Sequence, residues 1–227
     1  QDVKYHFRDS VLQLLRDMPL DLAPPTKANG DLRIMQFNIW QEGTSVSGGF
    51  EKIAGVIAAS NADIVALSEV RNYNSKDLHE RLLSALEKRG CTYFGEYAGG
   101  DVGLLSRWPI HHAEAVADQT QNDHGSIIAY HLTGPENQKL VVCTAHLDYL
   151  NYAIYLPRGY DGNTFKIIDP DGDGIPNPVV ELEALHKMDA ASQRDEALAG
   201  FLHYASKLPS SIPVLLAGDF NECSHLD

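Results

Sequence analysis

The chain has 227 residues, enough for one α/β domain with a substantial core, and its 44% apolar and 22% charged residues are the balance of an ordinary globular protein. That excludes disordered, collagen-like and coiled-coil classes. With 18 Lys plus Arg against 31 Asp plus Glu, the formal charge of −13 weighs against a tight, general nucleic-acid binder, although nucleic acid stays open as a substrate. Three widely spaced cysteines (Cys91, Cys143, Cys223) without a CxxC spacing make neither a disulfide framework nor a zinc site. No apolar run approaches eighteen residues, so no membrane span is expected, and QDVKYHFRDS lacks the basic and apolar regions of a signal peptide.

Residues 1–30 read as an N-terminal helix, DSVLQLLRDM, followed by a linker, LAPPTKANGD. The main domain is expected over 31–227. LRIMQFNIW is a strand, and FEKIAGVIAAS is a helix with Phe50, Ile53 and Ile57 on one face. ADIVALSEV is a buried strand, and KDLHERLLSALEKRG is an amphipathic helix ended by Gly90. DVGLLSRWPI, GSIIAYHL and KLVVCTAHL read as three strands. A polar insert spans about 149–180, then comes a helix around Ala191 to Ser206, and PVLLAGDFN is the last strand. Helices that alternate with apolar strands and then give way to consecutive strands predict an α/β layered sandwich, with central mixed β-sheets flanked by helices.

Chemistry-bearing residues sit where these strands end. Asn38 follows LRIMQF, Glu69 follows IVALS, His146 follows LVVCTA, and Asp219 with Asn221 follows PVLLAG. Ligands in layered α/β proteins commonly bind beyond strand ends, so the five residues are expected to converge. Taken singly, each has a bland reading as a turn former, a solvated cap or a core histidine.

In combination and order, FNIW (Phe37 to Trp40), ALSEV (Ala66 to Val70), VGLLSRWPI (Val102 to Ile110), CTAHLD (Cys143 to Asp148) and LLAGDFNECSHLD (Leu215 to Asp227) resemble the endonuclease/exonuclease/phosphatase superfamily over residues 32–227. The resemblance implies a metal-dependent phosphoesterase that hydrolyses a phosphodiester or phosphomonoester by water attack at phosphorus. It assigns Glu69 as carboxylate ligand of Mg2+ or Mn2+, with Asn38 supporting the metal shell and hydrogen-bonding the phosphate. Asp219 orients or deprotonates the water, Asn221 steadies it, and His146 donates to the phosphoryl oxygens. Asp148 either binds metal or orients a neighbour, or it caps a loop. The resemblance also implies further strands carrying an Asp–His pair after the GDFN loop. His225 lies too close to Asp219 to be that histidine, so the expectation is a C-terminally incomplete domain whose remainder is a separate chain packed along the sheet.

Within the insert, Asp169, Asp171, Asp173 and Asn177 stand at relative positions 1, 3, 5 and 9 of a calcium loop, with Gly174 at 6. Position 12 is Val180, with Glu181 following, and Pro170 and Pro176 argue against EF-hand helices. The loop is similar to those of extracellular thrombospondin type 3 and dockerin repeats, so Ca2+ and an extracytoplasmic setting are expected; the bland reading is a solvated acidic turn. Arg158 and Tyr152 are candidates for a substrate lip, against the commoner fate of a tyrosine-rich loop, which is to pack itself down. The second function class is a non-catalytic binding module of the same fold, using the insert for a protein or carbohydrate partner.

Overall fold

A strand buried along its whole length needs cover on both faces, and β2 (Ile64–Ser68) and β4 (Val102–Ser106) are buried at every position. The structure, a computed structural model, describes residues 31–117 and 126–222, so the expected N-terminal helix and linker, Cys223 and His225 lie outside the described residues. Two four-stranded sheets provide the cover. The first runs β1-β2-β4-β3, with β1 (Ile34–Asn38) parallel to β2, and with β4 antiparallel to both β2 and β3 (Phe94–Glu96). The second runs in chain order: β5 (Ile110–Ala117), β6 (Ser126–Thr133) and β7 (Lys139–His146) are antiparallel, and β8 (Val214–Asp219) joins β7 in parallel.

Period-two alternation sorts each strand's side chains into two layers. Ile64, Val102 and Leu104 meet Ile128, Tyr130, Leu132, Leu140 and Val142 between the sheets. The residues between them face outward. Val65, Leu67 and Leu105 pack under α1 (Gly49–Ser60) and α2 (Leu78–Glu87), whose Ile53, Ile57, Leu82 and Leu86 are buried. Ile127, Ala129, Val141, Cys143 and Ala145 pack under α4 (Arg194–Lys207) through Ala197, with Phe201 and Tyr204 alongside. The layers are therefore helix, sheet, sheet, helix, as the alternation of elements predicts. The Asp77 side chain caps α2 by accepting from Glu80 N at 2.9 Å.

Several elements differ from the sequence reading. DVGLLSRWPI is two strands in different sheets, β4 and the start of β5, separated by the bend Arg107–Pro109. Arg107 holds that bend, its guanidinium lying 4.1 Å over the Tyr93 ring and donating to Thr92 O at 3.0 Å. The strand β3 and the helix α3 (Leu182–Asp189) are additional, and α4 begins at Arg194 rather than Ala191. The insert contains a 3-10 helix, Ala153–Arg158, and a single antiparallel bridge, Tyr160 to Ile167.

Each sheet contains one parallel pair, and the two pairs are brought side by side. Asn38 is level with Ser68 at one pair's end, and His146 is level with Asp219 at the other's. The buried Ser68 hydroxyl donates to Ala145 O at 3.1 Å, tying the pairs together.

Candidate active site

Asn38, Glu69 and Asp219 meet at this junction. The Asn38 side-chain nitrogen donates to Glu69 Oε1 at 3.0 Å and to Asp219 Oδ2 at 2.8 Å, so one amide bridges carboxylates from opposite sheets. Trp40 N donates to Asn38 Oδ1 at 2.8 Å and fixes the amide's orientation. Gln41 N donates to Glu69 Oε2 at 2.7 Å, and Asn221 N donates to Asp219 Oδ1 at 3.0 Å. Both carboxylates are therefore held at both oxygens. Asn221 uses its own amide nitrogen to brace Leu147 O at 2.9 Å.

The backbone is strained around these groups. Trp40, Gln41, Glu42, Glu69, Asp101 and Asn221 all have φ between 41° and 67°. Such conformations cost roughly 1–3 kcal/mol each outside glycine and persist where the surroundings enforce them, characteristically at functional sites. Gly218 has the opposite problem of space, since a β-carbon there would run into the Ala145 carbonyl on the neighbouring strand. The glycine thus lets β8 sit close enough to β7 to place Asp219 beside His146.

His146 makes a 2.7 Å hydrogen bond through Nδ1 to Asp101 Oδ2, and Arg71 reaches the same oxygen at 3.1 Å. An anionic Asp101 accepting from Nδ1–H leaves Nε2 as the nitrogen available for chemistry. Burial pushes the Asp101 carboxyl above the ordinary carboxylate range, against the opposing pull of His146 and Arg71. Asp101 and Arg71 were not among the residues expected from sequence, and neither was Glu42. That buried carboxylate accepts from Arg71 N at 3.0 Å and Asn72 N at 2.6 Å and pairs with Arg81 at 3.2 Å, propping the loop that follows Glu69.

The remaining expected residues make contacts of their own. Asp148 is 2% exposed, and its oxygens accept from Leu150 N at 2.8 Å and Gln193 N at 3.1 Å, while its backbone carbonyl accepts from Arg194. These contacts cap the loop after β7 and anchor the start of α4. Tyr152 packs against Tyr155, with ring centroids 5.3 Å apart, and under the Arg194 guanidinium at 5.8 Å. Tyr155 in turn contacts Tyr160 and Phe165. These tyrosines hold the insert together, and Arg158 is exposed at the end of its 3-10 helix. Asp169, Asp171 and Asp173 each offer an oxygen within 4.8 Å of the others, and Asn177 donates to Asp171 Oδ1 at 3.1 Å. Asp169 also accepts from the backbone of Gly172, Asp173 and Gly174, which folds the acidic loop around it.

Oxygen donors dominate the strand-end site. Two carboxylates around a shared amide are a hard ligand set, suited to Mg2+ or Mn2+ rather than to a thiophilic ion. The residues present therefore fit a hard divalent cation.

An uncharacterized Caenorhabditis elegans protein is 26% identical over 204 residues, covering 88% of this chain and 56% of that protein, so the chain spans little more than half of that relative. Among solved structures, D. rerio TDP2 humanized by 14 mutations superposes with a TM-score of 0.52 at 17% identity, covering 85% of this chain and 67% of that one. D. rerio TDP2 complexed with a single strand DNA product gives 0.51 at 16% identity, covering 85% and 62%. At these identities the likeness is one of fold, with the same two mixed sheets flanked by helices. The sequence pattern of one family extends across residues 35–227, from the start of β1 through the GDFN loop, and the chain belongs to that family, the endonuclease/exonuclease/phosphatase family.

Proposed function

We propose that the chain is the catalytic part of a divalent-metal-dependent phosphoesterase acting on a phosphodiester or phosphomonoester. The carrying observation is the Asn38 amide bridging Glu69 and Asp219 across the two sheets, beside a His146–Asp101 pair. Glu69 is the direct cation ligand in this reading, with Asn38 supporting it. A bound Mg2+ or Mn2+ would supply Lewis-acid neutralisation of charge at the phosphoryl oxygens. The chain's own groups do the rest. Asp219, locked by Asn38 and Asn221 N, accepts a proton from the attacking water. His146, held through Nδ1 by Asp101, presents Nε2 to a phosphoryl oxygen and donates as negative charge develops there.

The test is a substrate panel of plasmid DNA, sphingomyelin and bis-p-nitrophenyl phosphate, assayed with and without Mg2+. The −13 charge weighs against nucleic acid, while a protein of this fold carries a single strand DNA product, so the panel spans both. Metal-dependent turnover of one member, lost in Glu69→Gln, supports the proposal. No turnover of any phosphate ester by the full-length natural protein, with metal present, would return the fold to a binding role.

Two further parts of this reading are proposals with their own tests. The acidic loop Asp169–Asn177 takes Ca2+ in an extracytoplasmic setting, where weak calcium modules operate at roughly 10⁻⁴–10⁻³ M. An unchanged melting temperature at millimolar Ca2+ would reduce it to an acidic turn. A further segment of the same protein packs along β8, which is half-exposed at every position while β6 and β7 are almost entirely buried. Fully active, monomeric protein consisting of this chain alone would refute that packing.

A further inference from the structure

The outer face of the second sheet carries ionisable side chains that the proposed chemistry leaves unused. His112 on β5 is directly opposite His131 on β6 in the antiparallel register. Directly opposed residues have β-carbons about 4.5–5.5 Å apart. Glu114, two residues along β5, shares the face of His112. His131 Nε2 lies 3.0 Å from Glu114 Oε1, His112 Nε2 lies 4.0 Å from Glu114 Oε2, and the two imidazole centroids are 5.5 Å apart. From α4, the Tyr204 hydroxyl donates to Glu114 Oε1 at 2.9 Å and lies 2.9 Å from His131 Nε2.

We propose that His112, Glu114 and His131 bind a borderline divalent transition ion, zinc foremost, with Tyr204 as a positioning residue. Two imidazoles and a carboxylate are a typical zinc donor set, and three protein ligands leave one position for water. This nitrogen-rich set contrasts with the oxygen set at the strand ends, so the two sites select different metals. Ligand atoms on a tetrahedral zinc ion stand about 3.3 Å apart when bonds are about 2.0–2.1 Å. The separations of 3.0 and 4.0 Å run to different Glu114 oxygens, so a side-chain rotation of His112 toward His131 is needed before one ion reaches all three ligands. His112, with 62% of its side chain exposed, is free to make that rotation.

Zinc chloride titrated calorimetrically into the wild-type chain, His112→Ala, Tyr204→Phe and Glu69→Gln tests this assignment, with imidazole signals of isotope-labelled histidine followed by NMR. The expected result is one zinc equivalent shared by wild type and Glu69→Gln and lost in His112→Ala. Zinc should shift the signals of His112 and His131, and Tyr204→Phe should weaken binding roughly tenfold, as loss of a ligand-orienting partner does. His112 is exposed, so its substitution should leave the melting temperature of the zinc-free protein unchanged. Undiminished zinc stoichiometry in His112→Ala, or histidine signals that zinc does not move, would overturn the proposal and leave the cluster a hydrogen-bonded tether between α4 and the sheet.

Discussion

Acid should weaken this fold through one buried histidine. His79, in the first turn of α2, is 4% exposed and lies over β3 and β4 where two glycines make room for it. A β-carbon at Gly103 would collide with the imidazole, and one at Gly95 would stand 3.2 Å from its Cδ2. Neither ring nitrogen finds a hydrogen-bond partner among the described residues. Burial therefore lowers the His79 pKa from 6.5 to about 4, against a smaller upward pull from Asp77. The unfolded chain binds the proton more tightly than the folded one. The stability this provides is fully present above pH 6.5 and is lost as pH falls through 4. At 1.36 kcal/mol per pH unit, the gap corresponds to about 3 kcal/mol, a large share of a typical folding free energy. Urea denaturation of wild type and His79→Leu between pH 7 and pH 4 isolates this effect from the carboxylates, which both proteins share. Wild type should lose about 3 kcal/mol more than the variant over that interval. Equal losses in the two proteins would refute the reasoning.

Three further outcomes follow from the site. Gly218→Ala should cost about 1–3 kcal/mol, by urea midpoint, because β8 must move away from Ala145, and turnover should fall with it as Asp219 leaves His146. Glu69→Gln should lower kcat by roughly 10²–10³-fold in a Mg2+-dependent assay, with an unaltered circular-dichroism spectrum, since the amide keeps the shape and removes the charge. Asp148→Ala should lower stability by about 2 kcal/mol and the melting temperature by roughly 4–8 °C, from two lost acceptors for Leu150 N and Gln193 N. Its folded fraction should keep wild-type metal affinity, and a large loss of that affinity would instead restore Asp148 to the metal shell.

The strand-end residues were legible because each follows a long apolar run, and a run of that kind marks where a buried strand emerges. Asn38, Glu69, His146 and Asp219 all carry that signal. Asp101 does not, because it follows two glycines and looks like the polar corner of a hairpin. Its role comes from His146, 45 residues away, a contact that no local pattern encodes. Glu42 sits in a left-handed turn that the sequence WQEG marks only through its glycine. The strand β5 was missed because HHAEAVA lacks apolar alternation, its outer face being given over to His112 and Glu114. For Asp148, strand periodicity puts it on the face of His146, but β7 ends at His146 and the Asp148 carboxylate accepts from Leu150 N and from Gln193 N at the start of α4. The layered architecture was the most readable property, since it depends on the order of whole elements rather than on single residues.

The amide bridge between Asn38 and Asp219 joins positions 181 residues apart. Closing so long a loop is entropically costly and is recovered only when both sheets have packed, so the bridged pair belongs among the last features to form. Synthesis from the N-terminus makes Asn38 early and Asp219 almost two hundred residues later, so a ribosome-bound chain cannot hold the bridged pair until β8 has emerged. Any excursion that peels β8 from β7 dismantles the pair again, even if the helices and the first sheet stay intact. The bridge thus makes the assembled strand-end site a property of the finished domain, absent from nascent or partly opened chains.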